Sequence, residues 1–229
     1  MKNASQCAKE LTRLLKSLKS PEPPELPGGG NPVAVLVQSV LMCEASTDLA
    51  DGAYERIGRE VVDFNDLRVC LPHETMQWLG RDYPLAVERC QQLRNVLNDI
   101  FLREHGVHLD HLREYGKRDV KKYIEGLDGI SPYTASRVML LCFQTHAIPV
   151  DEQLRQMLIE EGAADESADV EELSSWLARQ IKASDGIDAH LALQAWVDAA
   201  HAKSGRQASS SASSSKKSTR KTSTKRAAG

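Results

Sequence analysis

The stretch from Tyr123 to Val138, YIEGLDGISPYTASRV, decides the fold that the sequence predicts. A helix ends near Glu125, a short glycine-containing loop follows, and a second helix begins at Ser131, whose hydroxyl suits the N-cap position. Pro132 fits the first turn of that helix, because its missing N–H would have no partner there. Gly129 gives the loop the backbone freedom that a tight turn needs. The stretch therefore predicts a helix–hairpin–helix.

A hairpin of this kind can direct free backbone N–H groups at the start of its second helix outward, which suits a phosphate group. The local charge agrees, because the segment from Arg113 to Arg137, both included, holds six basic and four acidic residues. An ordinary αα-hairpin inside a helical bundle would show the same local pattern. Both interpretations stay open on these residues alone.

Apolar residues recur at helical spacing along most of the chain, as at Leu11, Leu14, Leu15 and Leu18. Asn31 and Pro32 open a helix whose apolar run from Val33 to Val37 indicates a position inside a core. No segment alternates apolar and polar residues with the composition of a strand. The sequence thus predicts an all-α fold.

The chain divides by composition into three parts. Residues 1–30 are predicted to form an amphipathic helix followed by a Pro/Gly linker. Residues 31–202 are predicted to form a helical core, and residues 203–229 form a basic Ser/Lys-rich tail. The tail holds eight of the 29 basic residues and none of the 32 acidic ones, so the rest of the chain carries a net charge of −11.

The tail has too few apolar side chains to offset the entropy of folding, which predicts disorder. Its lysines, including Lys216 and Lys217, are candidates for binding a phosphate backbone without regard to sequence. A tail that only keeps the protein in solution is the alternative, and it fits equally well.

Composition excludes several classes of protein. The longest apolar runs are far too short to span a bilayer, and no apolar stretch follows the basic N-terminal residues, so neither a membrane protein nor a secreted one is expected. The five cysteines have no CxxC spacing, which argues against a disulfide framework and against a zinc or iron–sulfur site. We therefore expect no metal and a cytoplasmic location.

A second motif lies about twenty residues beyond the hairpin. Asp151 follows the short apolar segment 147–150 and stands at the start of a predicted helix. An aspartate there commonly caps the helix and does nothing else. The functional alternative is a lone carboxylate at the mouth of a cleft, beside bound nucleic acid.

The two motifs together resemble the endonuclease III superfamily of helix–hairpin–helix (HhH-GPD) base-excision DNA glycosylases, over roughly residues 31–200. The family pattern L-P-G-V-G-x-[K/Y/S]-T-A is matched by residues 127–135, and its V-D-x-x-hydrophobic-R segment by residues 150–155. An Asn-Pro-led apolar helix matches Asn31-Pro32. The resemblance implies a two-lobed helical fold, the N- and C-terminal helices forming the second lobe. It also implies a monomer acting on double-stranded DNA that carries a damaged or mismatched base.

The resemblance assigns roles to individual residues. Asp151 takes the place of the catalytic carboxylate, and Tyr133 takes the place of the lysine that gives some relatives strand-cleaving lyase activity. A phenol cannot form the required imine, so the expected enzyme is a monofunctional glycosylase. Glu44 falls near the polar residue that relatives insert into the DNA stack; it is either a pocket acid or simply a solvated or capping side chain. The hairpin residues expected to contact DNA are Gly129, Ile130, Ser131, Thr134 and Arg137.

Three departures from the family pattern bear on function. Ser131 and Pro132 replace the second hairpin glycine and its neighbour, which weakens the expected grip on phosphate. No cysteine follows Cys142, so the ligands of an iron–sulfur cluster are missing and no cofactor is expected. The acidic body and the Ser131-Pro132 change favour an alternative, a catalytically weak or inactive HhH DNA-binding protein. A third hypothesis, an all-α protein-interaction module, requires both motif matches to be coincidental.

Overall fold

The structure, a computed structural model, describes residues 3–80 and 82–218, with side chains up to residue 203. Over this range it contains eleven α-helices and no β-strand, which confirms the predicted all-α fold. None of the described helices is long and apolar enough to cross a membrane.

The first six helices are α1 (Ala4–Ser17), α2 (Pro32–Met42), α3 (Thr47–Glu60), α4 (Phe64–Val69), α5 (Pro72–Leu79) and α6 (Ala86–Glu104). The other five are α7 (Lys117–Glu125), α8 (Pro132–Phe143), α9 (Glu152–Glu160), α10 (Val170–Gln180) and α11 (Gly186–Ser218). Short 3₁₀ turns cover Pro27–Gly30, Asp110–Glu114 and Ala183–Asp185.

The first of two hydrophobic cores is built from helices α2 to α8. Helix α2 is buried along its whole length, as its apolar sequence predicts, and it packs against α3 and α8. The helix starts at Asn31, whose side chain accepts the backbone N–H groups of Val33 at 2.9 Å and Ala34 at 3.2 Å. This cap satisfies two of the donors that a buried helix end would otherwise leave unpaired.

The second core is built from helices α9, α10 and α11, together with α1 from the other end of the chain. Cys7 and Leu11 of α1 are buried in it, alongside residues such as Ile148 and Leu177. The first and the last of the described helices therefore pack into the same core.

Polar contacts join the two cores. Both the backbone N–H and the hydroxyl of Thr47, at the start of α3, donate to the carboxylate of Asp198 on α11, at 2.9 and 2.7 Å. The Tyr133 hydroxyl on α8 donates to Gln194 on α11 at 3.3 Å, and the Gln194 amide donates to Asp198 at 3.2 Å. Helix α11 is thus held against the first core by two separate helices.

The predicted hairpin is formed by α7 and α8, and the predicted Ser131 cap is confirmed, since its hydroxyl accepts the N–H of Thr134 at 3.2 Å. The loop is braced from α6: Asp99 accepts the N–H of Asp128 at 2.8 Å, and Arg103 donates to the Gly126 carbonyl. Gly129 has a φ of +76°, and a Cβ there would lie 3.0 Å from the Asn95 Cβ. Both its conformation and its neighbour therefore require glycine.

Helix α11 continues to Ser218, into the segment for which the sequence predicts disorder. The side chains of Lys216 and Lys217 and the whole of residues 219–229 lie outside the described part of the chain. The proposed role of the tail accordingly stays a prediction.

Candidate active site

Asp151 lies where the two cores meet, at the N-terminus of α9. One carboxylate oxygen, Oδ1, accepts the N–H of Leu154 at 2.8 Å, and the other, Oδ2, accepts the N–H of Glu44 at 2.8 Å. The residue is only 8% exposed. It caps its helix and also lines a cavity, and its catalytic role stays a prediction.

Glu44 supplies its N–H to Asp151 because the backbone turns sharply at the end of α2. Its φ is +58°, a left-handed conformation that is uncommon for a residue with a side chain. The side chain is half-buried at the cleft. Burial raises the pKa of the Glu44 carboxyl; the positive charge of Arg89 opposes this rise, while the charges of Asp151 and Glu152 add to it.

A cavity of about 690 Å³ surrounds these two carboxyl groups, a volume in the range of small-molecule sites. Its walls come from both cores: the end of α2, the face of α6, the start of α8, and the segments around α9 and before α10. The residues lining it are Cys43, Glu44, Arg89, Gln92, Ser131, Pro132, Tyr133, Val150, Asp151, Glu152, Arg155, Ser167, Ala168, Asp169, Val170 and Glu171.

Tyr133 lines this cavity from the start of α8 and is 3% exposed. Burial is the main reason that the pKa of its phenol is raised; the nearby Arg137 charge lowers it and that of Asp151 raises it further. The phenol is therefore neutral at ordinary pH, and its hydroxyl points to Gln194.

Arg89 and Gln92 are cavity residues that sequence reasoning missed. Arg89 is 3% exposed, and it donates to the Cys43 carbonyl at 2.8 Å and to the Gln92 side-chain oxygen at 3.0 Å. In the sequence Arg89 adjoins Cys90 in the apolar stripe of α6. That position does not distinguish a buried arginine from one that lays its stem along the surface.

The hairpin residues differ in what they present to the surface. Gly129 is exposed, while Ile130 and Ser131 are half-buried. Within the described residues, the backbone N–H groups of Gly129, Ser131 and Tyr133 have no hydrogen-bond acceptor. Three donors are therefore free for a ligand at this end of α8.

The other two predicted hairpin contacts are inside the protein. Thr134 is fully buried, and Arg137 is 4% exposed and donates to the Ser39 hydroxyl at 2.8 Å. Desolvation lowers the pKa of Arg137, although its neighbours Tyr133 and Asp51 oppose the change. A DNA contact by either side chain does not fit this position, because both residues lie on the face of α8 that packs on the first core.

No three His, Cys, Asp or Glu side chains among the described residues cluster as metal ligands would. The prediction that the protein has no iron–sulfur cluster rests on the cysteines of the sequence, of which Cys142 is the last.

No protein-family model and no curated protein matches the chain. Solved structures do match. An endonuclease III in a trapped covalent intermediate with DNA has a TM-score of 0.60 and 19% identity over 85% of both chains. A Clostridium acetobutylicum 8-oxoguanine glycosylase/lyase bound to double-stranded DNA has a TM-score of 0.58 and 13% identity, over 84% of this chain and 69% of that one. A thermostable thymine-DNA glycosylase has a TM-score of 0.55 and 15% identity over 85% of both. The chain shares the helical fold of these DNA glycosylases, as its motifs predict.

Proposed function

We propose that this protein is a DNA glycosylase of base-excision repair, which hydrolyses the N-glycosidic bond of a damaged or mismatched base in double-stranded DNA. One observation carries the proposal. The Asp151 carboxylate is held by two backbone N–H groups, from Glu44 and Leu154, in a cavity between the two cores of a glycosylase-like fold.

Asp151 acts on a nucleotide that has been flipped out of the duplex into the cavity. The bond from C1′ to the base nitrogen breaks, its electron pair stays on the base, and the sugar develops positive charge. The fixed carboxylate stabilises that charge and accepts a proton from the water that attacks C1′. Asp151 then passes the proton to solvent, and the departed base takes one from solvent.

The hairpin supports binding of the DNA backbone. The free N–H groups of Gly129, Ser131 and Tyr133 suit a phosphate oxygen at a helix N-terminus, where the helix dipole also favours negative charge. Pro132 removes one donor from this set. Lys216 and Lys217 of the tail add affinity that does not depend on sequence and is needed because the rest of the chain is acidic. The protein acts as a monomer on nucleoid DNA in the cytoplasm.

The enzyme is monofunctional under this proposal. Tyr133 stands at the hairpin position that would hold a lyase lysine, and a buried neutral phenol cannot form an imine with C1′. Hydrolysis therefore leaves an intact strand with an abasic site.

The second candidate function is a catalytically inactive DNA-binding protein with the same fold. Pro132 favours it, since the loss of an N–H at the start of α8 weakens a phosphate contact. The acidic lining of the cavity, with Glu152, Asp169 and Glu171 beside Asp151, favours it as well.

The experiment uses labelled duplexes containing uracil, thymine glycol, 7-methylguanine, 8-oxoguanine or a mismatch, each incubated with the protein and then divided between alkali and neutral buffer. A glycosylase gives breaks after alkali in at least one duplex. No breaks in any duplex, together with binding that weakens steeply with salt, would leave the inactive DNA-binding protein.

A further inference from the structure

Arg89 is almost fully buried, and neither of the acceptors to which its guanidinium donates among the described residues is a carboxylate. Its two acceptors, the Cys43 carbonyl and the Gln92 amide oxygen, are neutral, and its Nε has none. Burying a guanidinium costs free energy unless an interaction compensates its charge. The position of Arg89 at the cavity wall indicates that its charge acts on whatever binds there.

Arg89 and Gln92 form one wall of the cavity, since residues three apart lie on the same face of α6. The guanidinium carries only donors, so Gln92 must turn its oxygen toward Arg89. The amide nitrogen of Gln92 is then left as a donor with no acceptor in the described structure. This wall therefore offers N–H groups and a positive charge to whatever occupies the cavity.

Building on the proposed glycosylase activity, we propose that Arg89, assisted by Gln92, binds the departing base and selects bases that carry a carbonyl next to the glycosidic nitrogen. Uracil, thymine, oxidised pyrimidines and 8-oxoguanine are of this class. Adenine has no carbonyl, and a purine alkylated at N3 or N7 is itself cationic.

The chemistry of bond breaking supplies the reason for this selection. When the C1′–N bond breaks, the electron pair of a neutral base makes it an anion, and the adjacent carbonyl oxygen takes up part of that charge. A guanidinium stays protonated at any working pH and stabilises this oxygen as the charge develops. A cationic base departs neutral and is repelled by Arg89 beforehand. The negative Asp151 carboxylate stabilises the positive charge on the sugar, and the positive Arg89 guanidinium stabilises the negative charge on the base.

Arg89 shares the cavity with the Glu44 carboxyl. Burial raises the pKa of that carboxyl, with Asp151 and Glu152 adding to the effect and Arg89 opposing it.

The test compares single-turnover release of uracil and of 5-fluorouracil by the wild type, Arg89→Met and Arg89→Lys. Arg89→Met should slow uracil release by roughly 10²–10³-fold, the loss typical of removing a donor that stabilises developing negative charge. It should slow 5-fluorouracil release less, because a better leaving group depends less on stabilisation of its developing negative charge. The rate of 5-fluorouracil release divided by that of uracil release should therefore rise at least 5-fold. Arg89→Lys keeps the charge and should lie between. Arg94→Met, an exposed change on the same helix, is the matched control.

A purely structural role for Arg89 would slow both bases equally, and that result would overturn the inference. If Arg89→Met does not fold, two other measurements test the inference. They are the ratio of 5-fluorouracil to uracil release by Arg89→Lys and the rates at which the wild type releases the different bases. A wild type that releases adenine or 7-methylguanine faster than every base with a carbonyl next to the glycosidic nitrogen would contradict this inference. The proposed glycosylase activity would remain supported. A wild type that releases no base would remove both.

Discussion

Glu44 donates its backbone N–H to Oδ2 of Asp151 at 2.8 Å, across a separation of 107 residues. The bond joins the end of α2, in the first core, to the start of α9, in the second. Leu154 holds the other oxygen from within α9. The orientation of the carboxylate therefore depends on how the two cores meet, and a change at Glu44 tests the site without touching Asp151.

Replacing Glu44 with Gln should stabilise the protein above acidic pH. Burial raises the Glu44 pKa above its ordinary value of 4.5, so in the window just above 4.5 the folded protein binds more protons than the unfolded chain. Stability is then lost as the pH rises through that window, and glutamine, which does not ionise, avoids the loss. The side chain is only half-buried, and screening by solvent limits the effect to a melting-temperature gain of about 1–2 °C at pH 8.

The gain should vanish below pH 4, where Glu44 is protonated in both states. Melting curves from pH 4 to 8 measure it, and Glu60→Gln, at an exposed position on α3, is the control. A Glu44→Gln protein that melts at or below the wild-type temperature at pH 8 would show that burial does not raise the pKa of the Glu44 carboxyl.

Gly129→Ala should destabilise the hairpin more than Gly162→Ala. Both glycines have positive φ, +76° and +69°, so both alanines are strained by about 1 kcal/mol. Only at residue 129 does the new Cβ meet a neighbour, the Asn95 Cβ at 3.0 Å; nothing lies within 4 Å at residue 162. We expect Gly129→Ala to melt about 4–8 °C below the wild type and Gly162→Ala about 2–4 °C below. Equal losses would mean that the α6 contact at the loop is not tight.

The local motifs could be predicted because they depend on neighbouring residues. The Ser131 cap and the Asp151 cap each follow from a residue type and its position before a helix. The Glu44–Asp151 bond could not be predicted, since it needs a left-handed residue and two distant segments brought together. The burial of Arg137, which the sequence led us to expect at the DNA, could not be predicted for a related reason, since it depends on the packing of α8 against α2, which places it beside Ser39.

The wild type should give no covalent complex when borohydride is added during reaction with a duplex whose base it releases. Imine trapping requires an amine at the cavity, and the residue at the hairpin position is the Tyr133 phenol. Denaturing gels measure trapping, with a bifunctional glycosylase as the positive control. A trapped complex, or strand breaks without alkali, would mean that another amine of the chain reaches C1′.

Single-turnover base release by Asp151→Asn tests the central claim most directly. Asparagine is also a good N-cap, so its oxygen can still accept the Leu154 N–H, and we expect melting within about 2–4 °C of the wild type, the cost of the lost Glu44 bond. Asp63→Asn, the same change at the N-cap of α4, is the matched control. If Asp151 is the catalytic carboxylate, release should fall at least about 10²-fold in Asp151→Asn and remain at the wild-type rate in Asp63→Asn. A folded Asp151→Asn protein that releases the base as fast as the wild type would contradict the assignment.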